Sequence, residues 1–312
     1  MKIERIIVLL FVTAGVFFVG LKTIPRSSNN ELLSDMFWIK KTNAPQVYDM
    51  VFIGDSRVYR GLDPTTISKL NGNLKGLNFG YSSGGFSDLL IDGGINKLSP
   101  QGKKIIVFGI SMFSITPVAC KNDHYIEQLN RRREEIVEAY YFSELKYFFR
   151  PVDPQFILKN KYVNEKNFEL DSNYYHQEPH DNGWQGSWKL RHDYKKALEE
   201  YNEHFKNNIP TMSIINNLSK RVGELTKKGY TIIGLRVPIE KSLYELEQSY
   251  GGNLFETMKK KFIAAGGNWI ELPLTTDGTF DGSHLDKWAA YKLSKDVGEK
   301  IHELLNQKLR NK

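Results

Sequence analysis

The sequence predicts an α/β protein built on a doubly wound, mostly parallel sheet with helices on both faces. Five short apolar segments rich in β-branched residues recur along the chain, and amphipathic helical patterns alternate with them. Several of those patterns stop at glycine, as at Gly229 and Gly266, where a left-handed C-cap is wanted. With 312 residues, 40% of them hydrophobic and 25% charged, the chain can bury one core of this kind and carry an insertion.

At the start, "MKIERIIVLLFVTAGVFFVGLKTIPRSS" sets Lys2 and Arg5 ahead of an uncharged apolar run over residues 6–21. That pattern is a secretion or anchoring signal. Neither a small-x-small cleavage site nor a lipobox cysteine follows it. The expectation is an uncleaved membrane anchor over residues 1–25, a polar linker over 26–46, and a body over 47–312 lying outside the cytoplasm.

Within the body the expected strands are "DMVFIG", "KGLNFG", "KIIVFGI", "YTIIGLRV" and "NWIEL". The expected helices include "PTTISKL", "FSDLLIDGGINKL", "IINNLSKRVGELTKKG", "LFETMKKKFIAAGG" and the terminal "WAAYKLSKDVGEKIHELLNQKLR". Residues 116–210 break the alternation. They read as a mainly helical insertion between the third and fourth strands, with a polar, aromatic loop in the middle. No internal repeat or low-complexity tract is present.

In an open α/β sheet, ligands gather outside the carboxyl ends of the strands. Ser56, Gly80, Ser111 and Arg236 each end one of the first four strands, so the fold brings them to one crevice. A serine hydroxyl needs an imidazole within hydrogen-bond reach, itself oriented by a carboxylate. "DGSH", after the last strand, offers Asp281 and His284 three residues apart on one tight loop. A rival nucleophile, Ser82, lies in Gly80-Tyr81-Ser82-Ser83-Gly84, which fits G-x-S-x-G; that elbow normally follows several strands, whereas one precedes the second strand here.

These residues resemble the SGNH, or GDSL-like, serine hydrolases. Gly54-Asp55-Ser56 is similar to the family's first block, "NFG" with Gly80 to its second, and Asp281-Gly-Ser-His284 to the D-x-x-H of its last. The resemblance implies a flavodoxin-like sheet, with Ser56 as nucleophile, His284 as general base and Asp281 as its orienting partner. It further implies an oxyanion hole containing the Ser56 and Gly80 N–H groups. The family's third block usually supplies an Asn side chain to that hole; Ser111 stands there, and either its hydroxyl substitutes or the enzyme is slower or differently arranged.

The resemblance also implies an enzyme that forms an acyl-serine and passes the acyl group to a hydroxyl of a cell-envelope or exported polysaccharide. A multispanning membrane acyltransferase is the implied partner. An anchored or secreted esterase is the close alternative, and a non-catalytic glycan-binding or assembly module is the second. Arg236 is the candidate for a substrate anion, and Trp184 and Trp188 are candidates for stacking on sugar rings.

His176 and His180 have ligand-like spacing but no third and fourth ligands beside them, so neither a metal nor a cofactor is expected. Cys120 is the single cysteine, which excludes an internal disulfide. The formal net charge of +7 is spread along the chain; the longest basic cluster, "RRREE", runs directly into acids, which argues against nucleic-acid binding.

Overall fold

A computed structural model describes residues 3–23, 31–142, 175–189 and 193–310. Its centre is a five-stranded parallel sheet of β1 (Met50–Gly54), β2 (Gly76–Gly80), β3 (Ile105–Gly109), β6 (Thr231–Leu235) and β7 (Asn268–Trp269). The spatial order is β2-β1-β3-β6-β7. All five expected strands pair as parallel neighbours, although the last contributes only two residues. The chain starts at β1, moves out to β2, then returns past β1 to β3 and beyond. Winding therefore reverses between β1 and β3, the switch point where such sheets present their ligand crevice.

Every residue of β1 and β3 is buried. This is why both read as continuous apolar runs instead of alternating ones: helices cover the two faces. One face packs Val51, Ile53, Phe79, Phe108 and Ile232 against α5 (Asp88–Ile95), α9 (Met212–Lys227) and α11 (Leu254–Ala264). The other packs Phe52, Val107, Ile233 and Leu235 against α3 (Ser56–Gly61), α4 (Pro64–Leu70) and α12 (Lys287–Arg310). Gly229 and Gly266 take φ of +83° and +95°, the left-handed C-caps that the sequence called for.

Two expectations need correction. The stretch read as a polar linker contains α2 (Glu31–Thr42), which buries Phe37, Trp38 and Ile39 in the main core. Its Lys41 is fully buried among the rings of Phe37, Trp38, Tyr59 and Tyr81, 5.0 to 5.3 Å from their centroids, and donates to the Gly183 carbonyl at 2.9 Å. Burial holds that ammonium well below the usual lysine range.

In the described part of the insertion a hairpin stands beside the expected helices. The described parts include α6 (Asp123–Leu129), α7 (Arg133–Tyr141), an antiparallel hairpin of β4 (Tyr175–Pro179) and β5 (Gln185–Lys189), and α8 (Tyr194–Phe205). The hairpin occupies the stretch read as a loop; residues 143–174 of the insertion lie outside the described residues.

The N-terminal run forms α1 (Ile3–Thr23), with Ile7, Leu10, Phe11 and Val16 exposed. Among the described residues no helix is long and apolar enough to cross a membrane, so the expected anchor gains no support from the helix geometry. Helix α10 (Lys241–Gly251) completes the described set.

Candidate active site

Three glycines stand side by side at the ends of three adjacent strands, Gly54 being in register with both Gly80 and Gly109. The Val58 side chain lies over them. A Cβ on Gly54 would come within 2.4 Å of Val58 Cγ2, and one on Gly109 within 2.3 Å. Without side chains in that row, α3 sits close down across the strand ends. Asp55 caps it by accepting from the Arg57 N–H at 2.9 Å, which places Ser56 at its first position, partly exposed at the switch point.

Asn78 fixes the far end of the same short helix. Its Nδ2 donates to the carbonyls of Val58 and Leu62, each at 2.8 Å, while its Oδ1 accepts from the Gly80 N–H at 3.0 Å.

The partner loop begins after Thr279. Gly282, at φ +86°, allows the chain to turn between Asp281 and Ser283, and the Asp281 Oδ1 accepts from the backbone N–H groups of Ser283 and His284. The other carboxylate oxygen lies 2.7 Å from His284 Nδ1, and His284 Nε2 lies 2.7 Å from Ser56 Oγ. These contacts run without a break from carboxylate to imidazole to hydroxyl, the geometry that activates a serine.

Burial works against the charged carboxylate of Asp281, yet the His284 ring and backbone N–H hold its pKa well below the ordinary range. Burial lowers the His284 pKa, as do the charges of Arg60 and Arg57, while Asp281 opposes them. The neutral form of the ring is therefore favoured.

A buried ionic pin holds the two halves together. Arg57, next to the serine, donates from Nε to Ser283 Oγ at 3.0 Å and reaches Glu247 of α10 at 2.7 Å. Glu247 also pairs with Arg236 at 2.6 Å, and Tyr201 of α8 bonds Ser283 Oγ at 2.7 Å. Both arginines and Glu247 are almost wholly removed from solvent. The residues flanking the triad on both segments are thus tied to one another as well as to the triad. None of these pairings shows as a sequence pattern, since Arg57 and Glu247 lie on helices far apart in the chain. The only local hint was that Ser283 lies inside "DGSH".

The structure brings Ser56, Asp281 and His284 together but gives other nominated residues different work. The Gly80 N–H is taken by Asn78, so it is not a free oxyanion donor. Ser111 is buried and donates its hydroxyl proton to Asp55 at 2.5 Å, which leaves nothing for an oxyanion. Arg236 faces the interior: it pairs with Glu247 and lies over Phe255 at 4.3 Å, so it is structural, not a substrate contact. Trp184 is 1% exposed and donates its Nε1 proton to the Arg60 carbonyl, so it offers no stacking surface.

Trp188 is half-buried, packed beside His176 and Trp288. His176 lies 3.1 Å from Glu178, and His180 packs on Trp184. Among the described residues no cluster of His, Cys, Asp or Glu could hold a metal ion. Burial pushes the Cys120 thiol up to about 11, away from thiolate chemistry. No hydrogen bond joins Ser82 to a histidine among the described residues, whereas Ser56 has one.

Backbone donors near the serine lie elsewhere. Among the described residues no hydrogen bond engages the N–H of Ser56, nor those of Ser82 and Ser83, the middle of a turn closed by the Gly84 N–H on the Tyr81 carbonyl at 3.1 Å. Ser83 takes a left-handed φ of +52° there, a conformation that sequence reading had no reason to assign to serine. Ser82 and Ser83 line a cavity of about 510 Å³, together with Tyr59, Arg60, Gln177 and Gln185. Tyr59 and Arg60 lie three and four residues after Ser56, on the same side of α3. No triad residue lines the cavity; Arg60 links it to the triad through Phe280, which stacks on the His284 ring.

Compared with known proteins, the chain matches no family model, no curated protein and no solved structure.

Proposed function

We propose that this protein is a serine acyl-ester enzyme of the SGNH type, acting through an acyl-Ser56 intermediate. One observation carries the reading: the hydrogen-bond chain from Asp281 through His284 to Ser56, with both links at 2.7 Å, at the switch point of a parallel sheet in the order β2-β1-β3-β6-β7. In this reading His284 takes the serine proton as Ser56 Oγ attacks an ester carbonyl, and Asp281 steadies the imidazolium. The oxyanion rests on backbone N–H groups of Ser56, Ser82 and Ser83. Collapse of the tetrahedral intermediate expels the alcohol, which takes its proton from His284 and leaves the acyl-serine.

A sugar hydroxyl as acceptor makes the protein an O-acyltransferase for an envelope or exported polysaccharide; water makes it an esterase. Amide, hydroxyl and aromatic groups line the cavity in the mixture that suits a carbohydrate, as acceptor or as ester substrate, and the lean toward transfer rests on the family resemblance. Placement outside the cytoplasm, an N-terminal anchor and a membrane acyltransferase as acyl source rest on the apolar run of residues 6–21 and on the family resemblance.

Intact-mass analysis after exposure to a fluorophosphonate tests the proposal. A single adduct that maps to Ser56 and is absent from Ser56→Ala is expected. An adduct on Ser82 refutes the assignment, and no adduct where a control hydrolase is labelled turns the reading toward a glycan-binding module.

A further inference from the structure

Of the three arginines around the triad, Arg57 and Arg236 share Glu247. Arg60 has no such partner: among the described residues no carboxylate lies within ion-pair distance of it, and its one hydrogen bond runs from Nε to Tyr59 Oη at 3.2 Å. Three rings clamp its guanidinium, with the centroids of Tyr59, Tyr175 and Phe280 at 5.2, 5.5 and 5.6 Å. Burial opposes the charge, yet Tyr59, Tyr175 and the nearby Asp281 keep its pKa above the ordinary arginine value, so the cation persists.

With no carboxylate within ion-pair distance and Nε alone engaged, the guanidinium keeps N–H donors for a bound anion. Rings that fix the plane of the guanidinium also prepare it for a bidentate oxyanion.

Its position indicates which ligand would bring that anion. Arg60 lines the cavity, and Phe280, one of its three rings, stacks on the His284 imidazole at 5.8 Å and 19°. One ring's width thus separates the guanidinium from the general base. The cavity's own carboxylate, Asp123 at the start of α6, forms no ion pair with Arg60. Gln177 and Gln185, brought in by the hairpin, supply neutral polar contacts to the rest of a ligand, in a volume of about 510 Å³ that accommodates a sugar unit.

We infer that the cavity recognises a sugar-sized ligand carrying a carboxylate or a phosphate, held by Arg60, so that the acceptor is anionic. The inference rests on the acyl-serine reading only for calling this ligand the acceptor; the anion site itself stands on geometry.

Calorimetric titration of the full chain with glucuronate, glucose 6-phosphate and glucose tests it without any need for catalysis. At least one anionic sugar is expected to bind about tenfold or more tightly than glucose, a preference that Arg60→Gln removes and Arg60→Lys keeps in part. Preference for glucuronate identifies a carboxylate source, and preference for glucose 6-phosphate a phosphate. Equal binding of all three sugars by the unaltered protein, binding of none, or a preference undiminished in Arg60→Gln overturns the inference.

Because the first comparison uses the unaltered chain, a misfolded variant cannot mimic the overturning result. Fluorophosphonate labelling of the same samples separates the two claims. Anion preference without labelling refutes the enzyme alone, and labelling without anion preference refutes the anionic acceptor alone.

Discussion

At the scale of single residues, protons decide what the triad does. In the acyl-serine proposal the neutral form of His284 is the base, and burial lowers its pKa below the ordinary 6.5 despite the attraction of Asp281. The acid limb of the rate of Ser56 acylation is therefore expected below pH 6.5, and Arg60→Gln, by removing one of the charges that lower the pKa, should move that limb upward. A limb above 6.5 in the unaltered protein would contradict this account. Stability follows the same sign. Asp281 and His284 both have lowered pKa values in the fold, so the unfolded chain takes up protons first as pH falls. Their contribution is present above the ordinary values and fades as pH drops through them toward the folded ones. Ser111 allows a sharper distinction. As an oxyanion donor its loss would cost about two or three decades of rate. As the donor to buried Asp55, Ser111→Ala should instead cost about 1–3 kcal/mol of stability, read by denaturant unfolding, with labelling of Ser56 changed far less.

At the scale of elements, the site depends on how closely α3 lies over the strand ends. Gly109→Ala would bring a Cβ to 2.3 Å from Val58 Cγ2, so the helix must lift or the valine must move. Overpacking of this kind costs about 1–3 kcal/mol. Because Ser56 rides on that helix, labelling should slow as well, and adding Val58→Ala should recover part of the rate. A Gly109→Ala protein labelled at the normal rate would show that α3 does not depend on the glycine row. The ionic pin acts at this level too. Glu247→Gln leaves two buried guanidinium groups without their shared anion, a loss of about 3–5 kcal/mol. Strand ends and the D-x-x-H loop were legible in the sequence because buried parallel strands read as apolar runs and triad partners must sit at their ends. Hydrogen-bond assignments were not. Whether Gly80 offers its N–H to a ligand or to Asn78, two residues earlier, depends on a side-chain rotamer that no pattern encodes. Arg236 looked like a substrate contact because its partner, Glu247, lies on the following helix and nothing in the spacing shows it facing inward.

At the scale of the whole molecule, the boundary of the folded body is the point where sequence and structure part most clearly. Residues 26–46 looked like a tether because charged and polar residues flank their few apolar ones. Yet α2 buries Phe37, Trp38 and Ile39 and carries Lys41 into a cage of rings. Trp38 meets the rings of Tyr59, Tyr81 and His124 at 5.2, 5.6 and 4.4 Å, so the helix braces one wall of the cavity as well as the core. Periodicity over a single short amphipathic helix is a weak signal, and the tertiary partners that give it stability lie more than a dozen residues away. Loss of one buried Trp or Phe costs about 3–5 kcal/mol, and a whole domain is typically stable by about 5–15 kcal/mol, so removing α2 should consume most or all of that margin. A chain of residues 31–312 is therefore expected to melt cooperatively and to take the fluorophosphonate on Ser56. One of residues 47–312 should lose both the cooperative transition and the label. If the shorter chain melts and labels like the longer one, α2 is a tether after all, and the core assigned to it contributes nothing that the site needs.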